Sequence, residues 1–295
     1  MNSIFEDLSL KIDGINVKGK STIITCGNNK YVLKECDNKY YEYLKLRGFK
    51  YFPDIINKKD NYLLEEYISN KELPINQRLE DMVYLTSLLH KSTSYYKKLD
   101  LDTIKEKYES IIAELDGLNK YYLSLQDMIE EEEFMSPTNY FLIRNISTIY
   151  YSLRLSREYL DKWYNSIKNT GIIRYSYIHN NLKLEHLLED DNFYLISWNK
   201  SKIDMPIYDI VGLYKNNYKY IKIDILLDIY SNKYLLSTDE IYLLFSILLI
   251  PSRIDINLKE YSRMLEVSDM VLYIEETINS LKGYTIDHDK KVDKE

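Results

Sequence analysis

Tyr177-Ile-His-Asn-Asn-Leu-Lys-Leu-Glu-His-Leu-Leu188, followed by Asn192-Phe-Tyr-Leu-Ile-Ser-Trp-Asn199, is the stretch that decides how this chain folds. Short apolar runs at Tyr177–Ile178 and Tyr194–Ile196 flank a polar loop, a pattern that predicts a hairpin-like pair of strands across residues 177–199. His179, Asn181 and His186 fall inside that loop, and Ser197 follows the second run.

The hydrophobic period differs on either side of Pro74. Before it, Ile15-Asn-Val17, Thr22-Ile-Ile-Thr25 and Tyr31-Val-Leu-Lys34 alternate, with Gly14, Gly19 and Gly27 spaced as turns, and predict three antiparallel strands. Asn38 to Leu46, carrying Glu42, has helical spacing and is closed by Gly48 and Pro53. Ile55–Ile56 and Tyr62–Ile68 predict two more strands. Beyond Pro74, Leu79, Met82, Val83, Leu85, Leu88 and Leu89 make one helical face, and no strand is expected before Tyr177. Two long amphipathic helices are expected at Ile104–Ile129 and Tyr140–Ile167, and three further helical segments at Ile221–Tyr230, Thr238–Ile250 and Leu258–Leu281. The predicted architecture is α+β. It has a β-rich N-terminal lobe over 1–68, a mainly helical lobe over 69–286 containing the 177–199 hairpin, and a frayed charged tail at 287–295.

Composition narrows the function classes. At 295 residues the chain is long enough for two lobes with cores. A net charge of −7 argues against a general nucleic-acid or anionic-membrane surface. The longest apolar run, Ile241–Ile250, is roughly half of a bilayer crossing, so it is expected to be a buried helix. Asn2–Lys11 carries Glu6 and Asp7 and lacks the order of a secretion signal, so a cytoplasmic protein is expected. Cys26 and Cys36 offer neither a disulfide framework nor a metal quartet, and both are expected to be reduced. The 31 tyrosines fit AT-rich coding, with cross-linking stock for a spore coat as the alternative.

The loop and its surroundings resemble the aminoglycoside phosphotransferase and spore-coat CotS-like branch of the kinase-like superfamily. There the pattern runs His-Gly-Asp-Leu, then His-Pro-x-Asn, then a strand ending in Ile-Asp-Trp. The resemblance implies a two-lobed kinase-like fold. It places His179 as loop scaffold, Asn181 where the catalytic Asp belongs, His186 where a metal-binding Asn belongs, and Ser197 where the main magnesium-binding Asp belongs. It also implies that Lys34 meets nucleotide phosphates and pairs with Glu42, and that backbone groups near Glu66, Tyr67 and Ile68 meet an adenine edge. Asp209, in Asp204-Met-Pro-Ile-Tyr-Asp209, is implied to accept hydrogen bonds from the loop and cap the next helix.

The three departures bear directly on chemistry. An amide at Asn181 is no base near neutral pH, Ser197 removes a hard anionic ligand, and the imidazole of His186 is a soft partner for magnesium. The expectation is a pseudokinase with no cofactor, serving as a binding or structural module for a protein partner that the sequence does not name. The alternative is a small-molecule phosphotransferase with a rearranged site, using ATP and magnesium, with Glu185, Asn199 or Asp204 turned inward as ligands.

Overall fold

The computed structural model describes residues 12–19, 21–35, 39–59 and 61–292, without the side chains at 39, 283 and 285–292. The chain divides into two compact units, one joining the residues up to Ser94 with Ser176–Asp204, the other Tyr95–Tyr175 with the residues from Met205 on.

The first unit is built on a five-stranded antiparallel sheet of order β1-β2-β3-β5-β4. Its strands are β1 (Gly14–Lys18), β2 (Ser21–Cys26), β3 (Asn29–Glu35), β4 (Ile55–Lys59) and β5 (Tyr62–Glu66). All five match expected strands. Because side chains alternate across a strand, the register Leu33↔Leu64 and Lys34↔Leu63 sorts the sheet into two faces. One face carries the buried cluster of Ile24, Cys26, Leu33 and Leu64. The other carries Lys34, Leu63 and Glu65. Cys26 is a buried free thiol, whereas Cys36 lies outside the described residues.

Helix α1 (Lys39–Leu46) buries Tyr40 and Leu44, which are four residues apart and so share a face. Gly48 ends it with φ +79, while the N–H groups of Gly48 and Phe49 donate to the carbonyls of Lys45 and Leu44 at 3.0 Å each. That is the left-handed stop that glycine permits without a Cβ penalty. Helix α2 (Ile75–Thr93) begins after Pro74, where the period changes, and buries Leu79, Met82, Val83, Leu85 and Leu89, with His90 fully buried beside them.

The expected boundary at residue 68 is not the one the contacts draw. The segment after β5 is tied to the loop region: Lys71 N–H donates to the Glu189 carbonyl at 2.8 Å, and Glu189 N–H donates to the Asn70 side chain at 3.1 Å. Arg78 on α2 donates to the Leu184 and Leu187 carbonyls at 2.7 Å each. These bonds join residues more than a hundred positions apart into one unit, which no local pattern announces.

The second unit is helical. Its long helices are α3 (Leu101–Glu130), capped by Asp100 with 2.7 Å to Thr103 N–H, and α4 (Pro137–Ile167), capped by Ser136 with proline in its first turn. A strand was not expected here, yet β6 (Tyr95–Lys98) pairs antiparallel with the first part of β7 (Ile172–Ile178). Gly171, with φ +64, leads into it, and an added Cβ would lie 2.6 Å from the Leu99 carbonyl oxygen. Helices α5 (Ile207–Asn217), α6 (Ile223–Ser231), α7 (Thr238–Leu248) and α8 (Glu260–Val292) complete the unit. The helix α8 includes residues 287–292, which were expected to fray, while 293–295 lie outside the described residues. Among the described residues no helix is long and apolar enough to cross a membrane.

Helix α7 opens with a capping box, Ser237 and Glu240, and Glu240 does double duty. Arg174 Nε donates to it at 2.9 Å, a second guanidinium nitrogen bonds its other oxygen, and the guanidinium lies 4.2 Å from the Tyr234 ring centroid. Both side chains are largely buried, at 14% and 7% exposure, so removing the cation strands a carboxylate. Arg174→Ala is expected to cost about 3 kcal/mol in urea unfolding, and Arg174→Lys less, because a point charge replaces a two-pronged donor.

Candidate functional site

The loop following β7 is organised around Trp198. Its indole N–H donates to the Leu195 carbonyl at 2.8 Å, and its ring stacks on Tyr40 of α1 at 5.5 Å and lies 4.5 Å from His179. His179 is fully buried, with Nε2 2.9 Å from the Ile196 carbonyl oxygen. It was expected as loop scaffold, and its ring is enclosed between the loop backbone and Trp198. The expected hairpin pairing is corrected: the end of β7 pairs with β10 (Lys202–Asp204), and the hairpin consists of β8 (Leu187–Glu189) with β9 (Phe193–Leu195). Tyr177–Ile178 therefore flanks the loop without pairing to Tyr194–Ile196, because its edge is taken by Ile203 and Lys202.

Two non-glycine residues adopt left-handed backbone here, Asn180 at φ 54 and Ser197 at φ 69. Asparagine tolerates that region and serine does so less readily, so Ser197 marks a strained point held by the packing of Trp198 beside it.

The structure brings Asn181, His186 and Ser197 together. The Asn181 side-chain amide donates to the Ser197 carbonyl at 3.3 Å, and the Asn181 carbonyl lies 2.6 Å from His186 Nδ1. A carbonyl oxygen only accepts, so His186 carries its proton on Nδ1. The Asn181 side-chain NH2 and His186 Nδ1 are thus each engaged by a backbone carbonyl of the loop. Of the neighbouring groups, Glu185 is exposed and lies 3.7 Å from both Lys183 and His186 Nε2, Asp204 is held by Lys202 at 2.7 Å, and the Asn199 amide is exposed. Among the described residues no group of three or more His, Cys, Asp or Glu side chains could hold a metal ion. An amide, an imidazole and a hydroxyl do not fit a magnesium–nucleotide complex, which asks for hard anionic oxygen.

Lys34 is corrected most sharply. Its ammonium lies 2.5 Å from Glu65 Oε2, not against Glu42. Glu42 is exposed, two positions along α1 from Tyr40, which places it on the face opposite the buried Tyr40 and Leu44. Glu65 is on the same sheet face as Lys34, diagonally across β3 and β5, and is 5% exposed. The clue was in the sequence: Leu63 and Glu65 share a face by parity, so a carboxylate interrupts an otherwise apolar strand face.

The residues implied to meet adenine are engaged in part. The Glu66 N–H donates to the Asp54 carbonyl at 2.9 Å, the Tyr67 N–H to the Lys30 carbonyl at 3.3 Å, and Ile68 is buried. Asp209 lies inside the first turn of α5 and is buried. It is not at the cap, which Pro206 occupies with φ −59 and no side-chain acceptor. Proline with that φ starts the helix early and draws Asp209 into it.

No protein-family profile matches the chain, and no curated protein does. Solved structures do match. An aminoglycoside phosphotransferase from Alicyclobacillus acidocaldarius is similar over 97% of this chain and 96% of its own, with a TM-score of 0.72 at 11% identity. The AMP-bound complex of spectinomycin phosphotransferase matches over 92% and 94%, with a TM-score of 0.51 at 11% identity. The chain has the kinase-like fold of the aminoglycoside phosphotransferases, with a small antiparallel sheet at its N-terminal end and a mainly helical remainder.

The Lys34–Glu65 pair yields a stability test. Lys34→Met leaves Glu65 buried without its cation and is expected to cost about 3 kcal/mol, and Glu65→Leu a similar amount. The double variant should recover most of that loss, because two apolar side chains replace two compensated charges. Equilibrium unfolding of the three variants gives the coupling directly.

Proposed function

We propose that this chain is a pseudokinase: a kinase-fold protein that does not transfer phosphate and serves as a binding module. The observation that supports this most is the state of the loop trio. Asn181, His186 and Ser197 supply no carboxylate, and one side-chain nitrogen of each of the first two is bonded to a loop carbonyl. Phosphoryl transfer is carried by positioning and by charge compensation around the phosphates, so a site with neither a proton acceptor nor an anionic metal ligand loses both contributions to one transition state.

The test is ATP turnover and magnesium-dependent ATP binding by the purified protein, with aminoglycosides, choline and sugars as acceptors. The expected result is no turnover and no magnesium-dependent rise in melting temperature. In the variant Asn181→Asp, His186→Asn, Ser197→Asp, a magnesium-dependent shift with ATP is expected to appear. Aspartate tolerates the left-handed backbone at position 197, so the change is compatible with the loop. Turnover by the wild-type protein that is lost in Lys34→Ala overturns the proposal in favour of an active small-molecule phosphotransferase.

A further inference from the structure

A cavity of about 480 Å³ lies within the first unit, and none of the loop trio lines it. Its walls come from α1, the segment at 49–54, the end of β5 and the β8–β9 turn. Six aromatic side chains line it: Tyr41, Phe49, Tyr51, Phe52, Phe193 and Tyr194. Phe49 and Phe52 are buried and pack on their neighbours, with Phe49 6.0 Å from Trp198 and Phe52 5.0 Å from Tyr41. The walls are pinned by backbone bonds, Leu195 N–H to the Tyr51 carbonyl at 2.8 Å and Glu66 N–H to the Asp54 carbonyl at 2.9 Å. The cavity is therefore preformed, and its size falls in the range of small-molecule sites, roughly 300 to 1,000 Å³.

Charge is arranged around it in two groups. Lys45 lies in the last turn of α1 and Lys50 just beyond it, whereas Asp54 and Glu66 are joined by the backbone bond at the end of β5. Among the described residues, no ion pair or hydrogen bond engages the charged end of any of these four. Lys45 lies only over the Tyr41 ring at 5.7 Å. The phenol hydroxyls of Tyr41, Tyr51 and Tyr194 likewise have no hydrogen-bond partner among the described residues. Opposite charges that share a cavity without neutralising each other are complementary to a ligand bearing both signs. Aromatic walls are complementary to an aromatic body and, beside two carboxylates, to an ammonium group.

We infer that this cavity binds a zwitterionic ligand with an aromatic body, of the class of an unblocked aromatic dipeptide. Its carboxylate meets Lys45 and Lys50, its ammonium meets Asp54 and Glu66, and its ring lies among the tyrosines and phenylalanines. Such a ligand bridges α1 and β9, the elements joined through Trp198. This inference does not depend on whether the loop transfers phosphate.

The experiment is calorimetric titration and thermal melting with phenylalanyl-tyrosine, its N-acetyl form and its C-terminal amide. The free dipeptide is expected to bind and raise the melting temperature, and blocking either end should weaken binding about tenfold, the loss of one charge-assisted contact. Asp54→Asn with Glu66→Gln should abolish the penalty for acetylation and keep that for amidation. Lys45→Gln with Lys50→Gln should do the converse. All four side chains are exposed, so both variants are expected to fold, with circular dichroism as the check. The inference is overturned if millimolar dipeptide gives neither heat nor a melting shift, if the blocked forms bind as tightly as the free one, or if the paired variants keep both penalties.

Discussion

The packing of Trp198 is the contact on which the arrangement of the loop depends. The indole is 4% exposed, satisfied by a carbonyl three residues behind it, and held between Tyr40 on α1 and His179 on the loop. A buried aromatic pair contributes on the order of 1 kcal/mol beyond its burial, and here one ring makes several such contacts. None of them needs a metal or a nucleotide. Ser197 is carried into its left-handed conformation by the anchored residue next to it, whatever its own side chain can do. This separates the frame of the loop from its chemistry. The frame rests on packing, and the side chains it carries at positions 181, 186 and 197 are an amide, an imidazole and a hydroxyl.

The electrostatics of the first unit follow the same division. A lysine on a sheet face is costly to bury alone, and it is stabilised by whichever carboxylate lies within reach on that face. Glu65 does so because β5 lies beside β3 in antiparallel register, and Glu42 does not because the buried face of α1 is set by Tyr40 and Leu44. The likeness to solved phosphotransferases, at 11% identity, concerns the fold. What the loop can do rests on the amide, imidazole and hydroxyl it presents, since one fold serves many sites.

Where the sequence was misleading, the cause was pairing over long separations. Tyr95–Lys98 is short, charged and mostly exposed, and becomes a strand only because residues about 77 positions later pair with it. Tyr194–Ile196 and Tyr177–Ile178 look like partners by spacing, yet each finds a different strand. Asp209 looks like a cap from its distance to the helix, but Pro206 begins the helix three residues sooner. The cavity beside α1 left no mark at all, since its lining is drawn from four separate segments.

The sequence by itself determined the periods: five strands before Pro74, long helices after it, the buried faces of α2, α3 and α4, and the loop frame from His179 to Trp198. Those features are local, written in alternation, in helical spacing and in glycine and proline stops, so they are legible without a partner in space. Only the tertiary structure decided which carboxylate neutralises Lys34, which strands flank the loop, that the segment after β5 joins the loop in one unit, and that lysines and carboxylates from separate elements share an aromatic cavity. Each of these is a choice among several chemically equivalent groups. Register and packing make that choice by bringing one of them within a few ångströms and leaving the others in solvent.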